Sequence, residues 1–294
     1  MEIALADWIK AGKITSEVRE WSKSLIKPGA KLLDVATAIE NKIREKGAVP
    51  GFPVNLSLNA TAAHYTPVPS DTIILKDEII KVDIGVCFNG AIGDTAYTVD
   101  LSGKYQKLVD ASRHALDAAA KLLRPGVQLK ELGRAIEQTI TAAGFQPVRN
   151  LSGHGIGLYE IHTSPSIPNY DNGDTTVLKK GQIIAIEPFA TLGEGKIKEL
   201  PPAFIYEELV EKPVRDQFAR KVLQKIKTFE HLPFCARYLV DDQLPYNRVQ
   251  FALRLLVQQG NIIAHPPLVE ISNGLVSQAE HTFYIDETVI VLTK

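Results

Sequence analysis

Residues 27–50 of this chain recur 97 residues later, as residues 124–147, without a gap. Nine positions carry the same residue in both copies: Pro28 and Pro125, Gly29 and Gly126, Leu32 and Leu129, Ala38 and Ala135, Ile39 and Ile136, Glu40 and Glu137, Ile43 and Ile140, Gly47 and Gly144, and Pro50 and Pro147. Any amphipathic helix with capped ends shares some of these turn and cap residues. Nine identical residues without a gap nevertheless favour duplication of one ancestral segment. We therefore expect two related halves.

Each copy predicts a helix with defined ends. A Pro-Gly turn precedes a stretch whose apolar residues recur at helical spacing, and a glycine followed by a proline closes it. Antiparallel strands are predicted over 79–88 and 91–101 in the first half and over 182–186 and 279–292 in the second, and the last of these contains a hairpin, HTFYI-DE-TVIVL. Helices and antiparallel strands segregated in this way define an α+β domain, and a ligand site is expected where the halves meet.

The stretch 82–96, VDIGVCFNGAIGDTA, predicts a tight hairpin that carries two acids. Its Asn89-Gly90 dipeptide indicates a two-residue type I′ turn, so Gly85 faces Asp94. Asp83 then lies two residues further along the same face. Two carboxylates about 5 Å apart repel by roughly 3 kcal/mol at an effective dielectric constant of 20. An arginine, a shared proton or a metal ion would relieve that repulsion, whereas a solvated hairpin edge would need none of them.

Composition excludes several classes of protein. The chain has 294 residues, 45% of them hydrophobic and 23% charged, which suits one large domain or a domain with an insertion. A formal net charge of −1 gives no general attraction to nucleic acids or membranes. No apolar run approaches the roughly 18 residues of a membrane span, and the N-terminus lacks a signal-peptide pattern. Two cysteines, Cys87 and Cys235, are too few for a disulfide framework, so a cytoplasmic protein is expected.

Three further residues are candidate ligands. His154 lies among glycines in Gly153–Gly157, where backbone can approach a ligand closely. Glu187 ends an apolar strand, and Glu280 lies inside another. Taken singly, the histidine could be an ordinary loop residue and the two acids could face solvent.

In chain order, Asp83, Asp94, His154, Glu187 and Glu280 form a pattern that resembles the dinuclear metal site of the methionine aminopeptidase, prolidase and creatinase group. This group has the pita-bread fold, itself a duplicated α+β unit, in agreement with the repeat. Within the group, the chain from about residue 5 onwards resembles the type II methionine aminopeptidases in their short, archaeal form. The first aspartate comes too early for the N-terminal domain of a prolidase, and type II enzymes carry a helical insertion in the long gap between the two glutamates.

The resemblance implies two divalent metal ions. Asp83 would chelate one ion, Asp94 and Glu280 would bridge, and His154 and Glu187 would complete the coordination of the other. Four carboxylates carry −4, which two dications balance. Oxygen ligands with one imidazole suit Mn, Fe, Co or Zn and do not select among them.

The resemblance also implies an activity, the removal of the initiator methionine from nascent proteins when the next residue is small, by hydrolysis with a metal-bound water. Glu187 is then the expected proton shuttle between the water and the leaving amine. His64, in the segment Asn59–Pro67, and His162 resemble the histidines that contact the substrate backbone and stabilise the tetrahedral intermediate. Without the resemblance, both would pass for ordinary loop histidines.

Matching positions imply that Phe52, Ile161, Phe189 and His265 line the methionine pocket. His265 departs from the tyrosine expected in some relatives, which leaves inhibitor fit at this wall open. Both phenylalanines could equally be plain core residues.

The resemblance divides the chain into a pita-bread catalytic domain, residues 1–195 and 270–294, and a helical, winged-helix-like insertion subdomain, residues 196–269. Helices are predicted there over 215–229 and 247–259. Its charges are nearly balanced, which favours a wall at the cleft entrance over DNA binding. The expected protein is a monomer that binds the N-terminal methionine of nascent polypeptides, with no DNA or membrane partner, and a transient ribosome contact stays open. A binding protein that has lost its chemistry and a proline-directed aminopeptidase are the alternative functions.

Overall fold

Helices and short strands alternate along residues 5–294, the part of the chain that the computed structural model describes. The helices are α1 (Leu5–Ser22), α2 (Leu32–Glu45), α3 (Gln106–Ala120), α4 (Leu129–Ala142), α5 (Gln217–Ile226), α6 (Ala236–Leu239) and α7 (Tyr246–Gln259), with 3₁₀ turns at Lys23–Leu25 and Lys227–Phe229. The strands are β1 (Val49–Pro50), β2 (Asn55–Leu58), β3 (Thr61–Ala63), β4 (Ile79–Phe88), β5 (Ala91–Asp100), β6 (Gln146–Pro147), β7 (Ser152–Gly157), β8 (Glu160–Pro168), β9 (Ile183–Ile186), β10 (Phe189–Thr191), β11 (Ile197–Glu199), β12 (Ile205–Glu208), β13 (Phe234–Cys235), β14 (Ile262–His265), β15 (Leu268–Glu270), β16 (Val276–Gln278), β17 (His281–Tyr284) and β18 (Ile290–Val291). Residues 1–4 of the predicted catalytic domain lie outside the described part.

The two copies of the repeat fold alike. Helices α2 and α4 each span 14 residues and begin at equivalent positions of the repeat. In each copy the glycine before the helix donates its backbone N–H to a leucine carbonyl at 2.8 Å, Gly29 to Leu75 and Gly126 to Leu178. Strands β1 and β6 follow the two helices at matching positions. Each half also has its own hydrophobic core, so the duplication predicted from sequence is confirmed.

The acidic hairpin has the predicted register. Strands β4 and β5 pair so that Gly85 is opposite Asp94 and Asp83 is opposite Ala96. The two turn residues both have positive φ, 51° at Asn89 and 87° at Gly90, as a type I′ turn requires. The type of turn thus fixed the face on which both carboxylates lie.

The halves join beside this hairpin. Ala96 of β5 forms an isolated antiparallel bridge with Glu280, and the Thr95 hydroxyl donates to the Glu280 carbonyl at 2.8 Å. Next along the strand, the Asp94 N–H donates to the Thr282 hydroxyl, which in turn donates to the Asp94 carbonyl, each at 2.8 Å. Strand β17 belongs to the five-stranded sheet of the second half, ordered β18-β17-β9-β7-β8. Acids from both halves therefore reach one place.

The C-terminal hairpin has a longer loop than its sequence indicates. Asp286-Glu287 between apolar runs predicts a two-residue turn, but β17 and β18 pair only as far as Tyr284 and Ile290. Ile285 leaves the ladder because its N–H donates to the Gln182 carbonyl at 2.9 Å and its carbonyl accepts from the Gly181 N–H at 2.7 Å. Backbone hydrogen bonds to the two residues that precede β9 thus replace the pairing of Ile285 with β18.

Residues 196–269 pack around a hydrophobic cluster of their own. The two predicted helices are α5 with its following 3₁₀ turn and α7, and they pack with the antiparallel sheet β13-β12-β14. At the base of this segment β11 and β15 pair with each other, and β15 pairs with β3 of the first half. The proposed domain boundaries at 195 and 270 stay a prediction.

One buried ion pair joins this segment to the first half. The Arg237 guanidinium, after β13, contacts the Glu40 carboxylate of α2, and their side chains are 8% and 4% exposed. Arg237 also donates to the Thr66 hydroxyl at 2.9 Å and to the Pro67 carbonyl. The segment is thereby attached to the chain just after His64.

The expectations about membrane spans and disulfide bonds concern the whole chain. No α-helix within residues 5–294 has both the length and the hydrophobicity that crossing a bilayer demands. Cys87 and Cys235 are both buried and free.

Candidate metal centre

Three of the five predicted ligands converge closely. Asp94 of β5, His154 of β7 and Glu280 just before β17 are all buried, and each offers a ligand atom within 4.8 Å of the others. The bridge between Ala96 and Glu280 brings the two acids together, and β7 reaches them through its pairing with β9. A spacing of this kind allows three side chains to share one cation.

Glu187 and Asp83 extend this cluster. His154 Nε2 lies 3.5 Å from Glu187 Oε1 and 3.7 Å from Asp94 Oδ2. Gln278 Nε2 donates to Glu187 Oε2 at 3.4 Å. Asp83 lines the same cavity as the other four residues. All five residues predicted as metal ligands therefore face one cavity.

The described lining of the cavity supplies no lysine or arginine to balance the charge of the cluster. Burial raises the pKa of Asp83 to about 7, and burial together with the neighbouring acids raises the pKa of Asp94, Glu187 and Glu280 well above the usual range. Such shifts mark a site where several like charges are crowded out of water. An arginine that relieves the repulsion between the carboxylates was one alternative left open by the sequence. No described residue lining the cavity is an arginine, so this alternative is excluded for them.

Unpartnered ligand atoms indicate what the cluster can hold. Asp83 Oδ1 and Asp94 Oδ1 are buried and have no hydrogen-bond partner within residues 5–294. Buried carboxylate oxygens are normally paired, so two orphaned oxygens in one cavity fit a cation ligated there. Burial and the neighbouring His162 lower the pKa of His154 to about 3, so its imidazole is neutral and can act as a ligand. The residues present therefore fit divalent metal ions.

His154 lies in a strand rather than in a glycine loop. It is part of β7, and its flanking glycines serve packing between strands: a Cβ on Gly153 would lie 2.3 Å from the Ala185 carbonyl oxygen. On the other side, a Cβ on Gly155 would lie 2.3 Å from the Ser164 carbonyl oxygen. The glycines thus bring neighbouring strands close and hold the imidazole at the cluster.

The cavity above the acids has a volume of about 330 Å³. Its walls include every residue predicted for the methionine pocket and for substrate contact: Phe52, His64, Ile161, His162, Phe189 and His265. The sequence did not identify Asn55, Ile205, Glu207, Pro233 and Leu268, which also line it. Four of these five come from residues 196–269, where no motif marks them, and only the folding of that segment brings them to the cavity.

Histidines occupy one part of the cavity wall. The rings of His154 and His162 are 4.5 Å apart, and those of His64 and His265 are 5.8 Å apart, both edge to face. Burial, with His265 and His162 nearby, lowers the pKa of His64 to about 3, and burial also lowers the pKa of His162. Both are neutral near pH 7 and each can donate one hydrogen bond. His265 Nε2 lies 3.2 Å from Glu207 Oε2.

A model of metallopeptidase family M24 matches residues 7–225, so the chain belongs to that family. It is a hydrolase of the aminopeptidase class that uses divalent metal. The methionine aminopeptidase of Pyrococcus abyssi is 47% identical to it over 288 residues, which are 97% of both chains. The resemblance to archaeal-type methionine aminopeptidases is thereby confirmed.

Solved structures agree on the fold. A methionine aminopeptidase from Thermotoga maritima superposes with a TM-score of 0.70 over 99% of this chain and 98% of its own, at 23% identity. A thermophilic Arx1 superposes with a TM-score of 0.87 over 98% of this chain and 90% of its own, at 17% identity. At such identities these likenesses concern the fold alone, and they confirm the expected α+β pita-bread architecture.

Proposed function

We propose that this chain removes the initiator methionine from nascent polypeptides whose second residue is small. The observation that carries the proposal is the cavity itself, where four acids and a neutral imidazole face apolar walls that include Phe52, Ile161 and Phe189. A hydrolytic centre beside apolar walls suits the release of one apolar residue from a chain end. Full-length similarity to a methionine aminopeptidase supports the same activity.

Five side chains would hold two dications in this proposal: Asp83, Asp94, His154, Glu187 and Glu280. Their formal charge of −4 equals the charge of two divalent ions. When bound, such ions lower the pKa of water and polarise the scissile carbonyl. Mn, Fe, Co and Zn all suit this donor set.

The remaining chemistry belongs to this chain's own side chains. A Glu187 carboxylate oxygen takes a proton from the attacking water and passes it to the leaving amine nitrogen. Glu187 suits this shuttle because its side chain is 15% exposed, against 4% for Asp94, and can therefore reach both the attacking water and the leaving amine. His64 and His162, both neutral, donate hydrogen bonds to the substrate backbone where negative charge develops.

Residues 196–269 complete the pocket rather than bind nucleic acid. They supply Ile205, Glu207, Pro233 and His265 to its wall, which supports the proposed role as an entrance. We further propose a monomer that acts in the cytoplasm, where nascent chains present their first residue. A transient ribosome contact would bring the enzyme to that substrate.

Peptide hydrolysis with metal control tests the proposed activity. Purified protein should cleave a Met-Ala peptide, lose activity with a chelator and regain it when Co²⁺ or Mn²⁺ is restored. Cleavage of an Xaa-Pro peptide instead would favour the proline-directed alternative. Inactivity on both peptides with metal supplied would leave the binding-protein alternative.

Single substitutions test the ligand set. Asp94→Ala and Glu280→Ala should abolish turnover and metal binding together, because each removes an oxygen at the centre of the cluster. His64→Ala should lower turnover while the metal content by elemental analysis stays unchanged. Full metal stoichiometry in Glu280→Ala would refute its proposed bridging role.

A further inference from the structure

His64 has a backbone conformation that needs support. Its φ of 64° lies in the left-handed region, which few residues other than glycine adopt, although histidine does so more often than most. Conformations of this kind are strained and persist only where the surroundings enforce them. His64 lines the cavity, so its backbone angle decides where the imidazole points.

One buried side chain provides such support. The His64 N–H donates to Asn55 Oδ1 at 2.6 Å, and Asn55 Nδ2 donates to the Pro53 carbonyl at 2.9 Å. Asn55 is 3% exposed. A carboxamide offers an acceptor and a donor side by side, and this position uses one of each. Aspartate would set an oxygen against the Pro53 carbonyl, and leucine would leave both backbone groups without a partner.

Asn55 also ties His64 to the strand that carries the first acid. It lies on β2, with its Cα directly opposite Asp83 of β4. The next residue continues the attachment, since the Leu56 N–H donates to the Tyr65 carbonyl at 2.8 Å. The histidine backbone is thereby fixed relative to the acidic hairpin.

We propose that Asn55 is a positioning residue that holds His64 in its reactive orientation through the hydrogen bond from the His64 N–H to the Asn55 carboxamide oxygen. This inference rests on the proposed role of His64 at the substrate. When Asn55 is truncated, the His64 N–H loses its partner and the left-handed backbone can relax, which turns the imidazole away from the substrate. The metal ligands keep their own contacts.

A double-mutant cycle tests this coupling. With a Met-Ala peptide, His64→Ala should lower kcat by about 100-fold, the size expected for losing one donor to developing charge. Asn55→Ala should lower kcat by about 10-fold. If Asn55 acts through His64, the double variant should match His64→Ala within about twofold. A double variant reduced by about 1,000-fold, the product of the two effects, would overturn the proposal.

Controls separate positioning from general damage. Metal content should equal that of the wild type in Asn55→Ala, and a loss of metal there would overturn the proposal. Asn261→Ala removes another fully buried asparagine, whose Nδ2 donates to the Lys212 carbonyl at 2.9 Å, and should leave kcat within about twofold of wild type. If Asn55→Ala does not fold, Asn55→Ser leaves a smaller void and also cannot reach the His64 N–H.

The outcomes also distinguish this inference from the proposed function. If His64→Ala keeps wild-type kcat, the proposed role of His64 fails. If His64→Ala is impaired and Asn55→Ala keeps wild-type kcat, only the positioning role fails.

Discussion

Removal of one partner from the ion pair between Arg237 and Glu40 should lower the stability of the fold strongly. Arg237→Met retains much of the aliphatic length of the side chain and removes its charge. Glu40 Oε1 would then accept only from the Val54 N–H at 3.3 Å and the Tyr238 hydroxyl at 2.8 Å. The Thr66 and Pro67 oxygens would also lose their donor.

The size of the effect follows from burial. Removing one partner of a buried ion pair costs about 3–5 kcal/mol, because the other charge stays behind without compensation. At roughly 2 °C per kcal/mol for a large domain, the melting temperature should fall by about 6–10 °C. In Glu40→Gln/Arg237→Met the stranded charge is gone, and the neutral glutamine can still accept from Val54 and Tyr238. The double variant should therefore be more stable than Arg237→Met alone.

Thermal unfolding of the metal-loaded protein, followed by circular dichroism, measures these shifts. Arg248→Met is the matched control, because this arginine is exposed on α7 and its guanidinium carbon lies 4.7 Å from the centre of the Phe218 ring. A cation–π contact at the surface is worth about 0.5–1 kcal/mol, so the control should shift by about 2 °C or less. The reasoning is wrong if Arg237→Met has the same melting temperature as Arg248→Met. It is also wrong if the double variant Glu40→Gln/Arg237→Met has a lower melting temperature than Arg237→Met.

Three further predictions concern the cavity and its supports. Gly85→Ala would place a Cβ 2.3 Å from Phe52 Cε1, so the ring must shift in the cavity wall, and KM for a Met-Ala peptide should rise by about 10-fold with a smaller change in kcat. Gly133→Ala would place a Cβ 2.1 Å from the Tyr170 carbonyl oxygen, and chemical denaturation should show a loss of about 1–3 kcal/mol. In chelated protein, burial raises the pKa of Asp83 from 3.8 to about 7, so between these pH values the folded state holds a proton that the unfolded chain has released. The free energy of unfolding of chelated wild type should thus fall relative to Asp83→Asn as pH rises through this window, and parallel pH profiles would contradict it.

Short-range rules predicted much of the framework. The Asn89-Gly90 turn predicted the hairpin register, and the Pro-Gly turns predicted where α2 and α4 begin. Both rules work because they depend on residues that are close in sequence. The convergence of the hairpin with His154, Glu187 and Glu280 could not be predicted in this way. These residues are far apart along the chain, and only the family resemblance related them before the fold did.

Features that depend on long-range packing escaped the sequence. The Gly153–Gly157 stretch has too little β-propensity to indicate a strand, yet it forms most of β7 because glycines let β9 and β8 approach closely. The contacts of Asn55 and Arg237 follow from the backbone conformation after β3 and from the docking of α6. The pocket residues Ile205 and Glu207 alternate with ordinary neighbours and carry no signal of their own.

The division of acids between the two halves has a consequence for when the enzyme can become active. Asp83 and Asp94 belong to the first half, while Glu187 and Glu280 belong to the second, so neither half can gather the full set of oxygens. A chain still emerging during synthesis, or cut between its halves, cannot bring all four of these carboxylates to one metal site. Peptide cleavage is thereby withheld until folding is finished, and cation uptake becomes a measure of completed assembly.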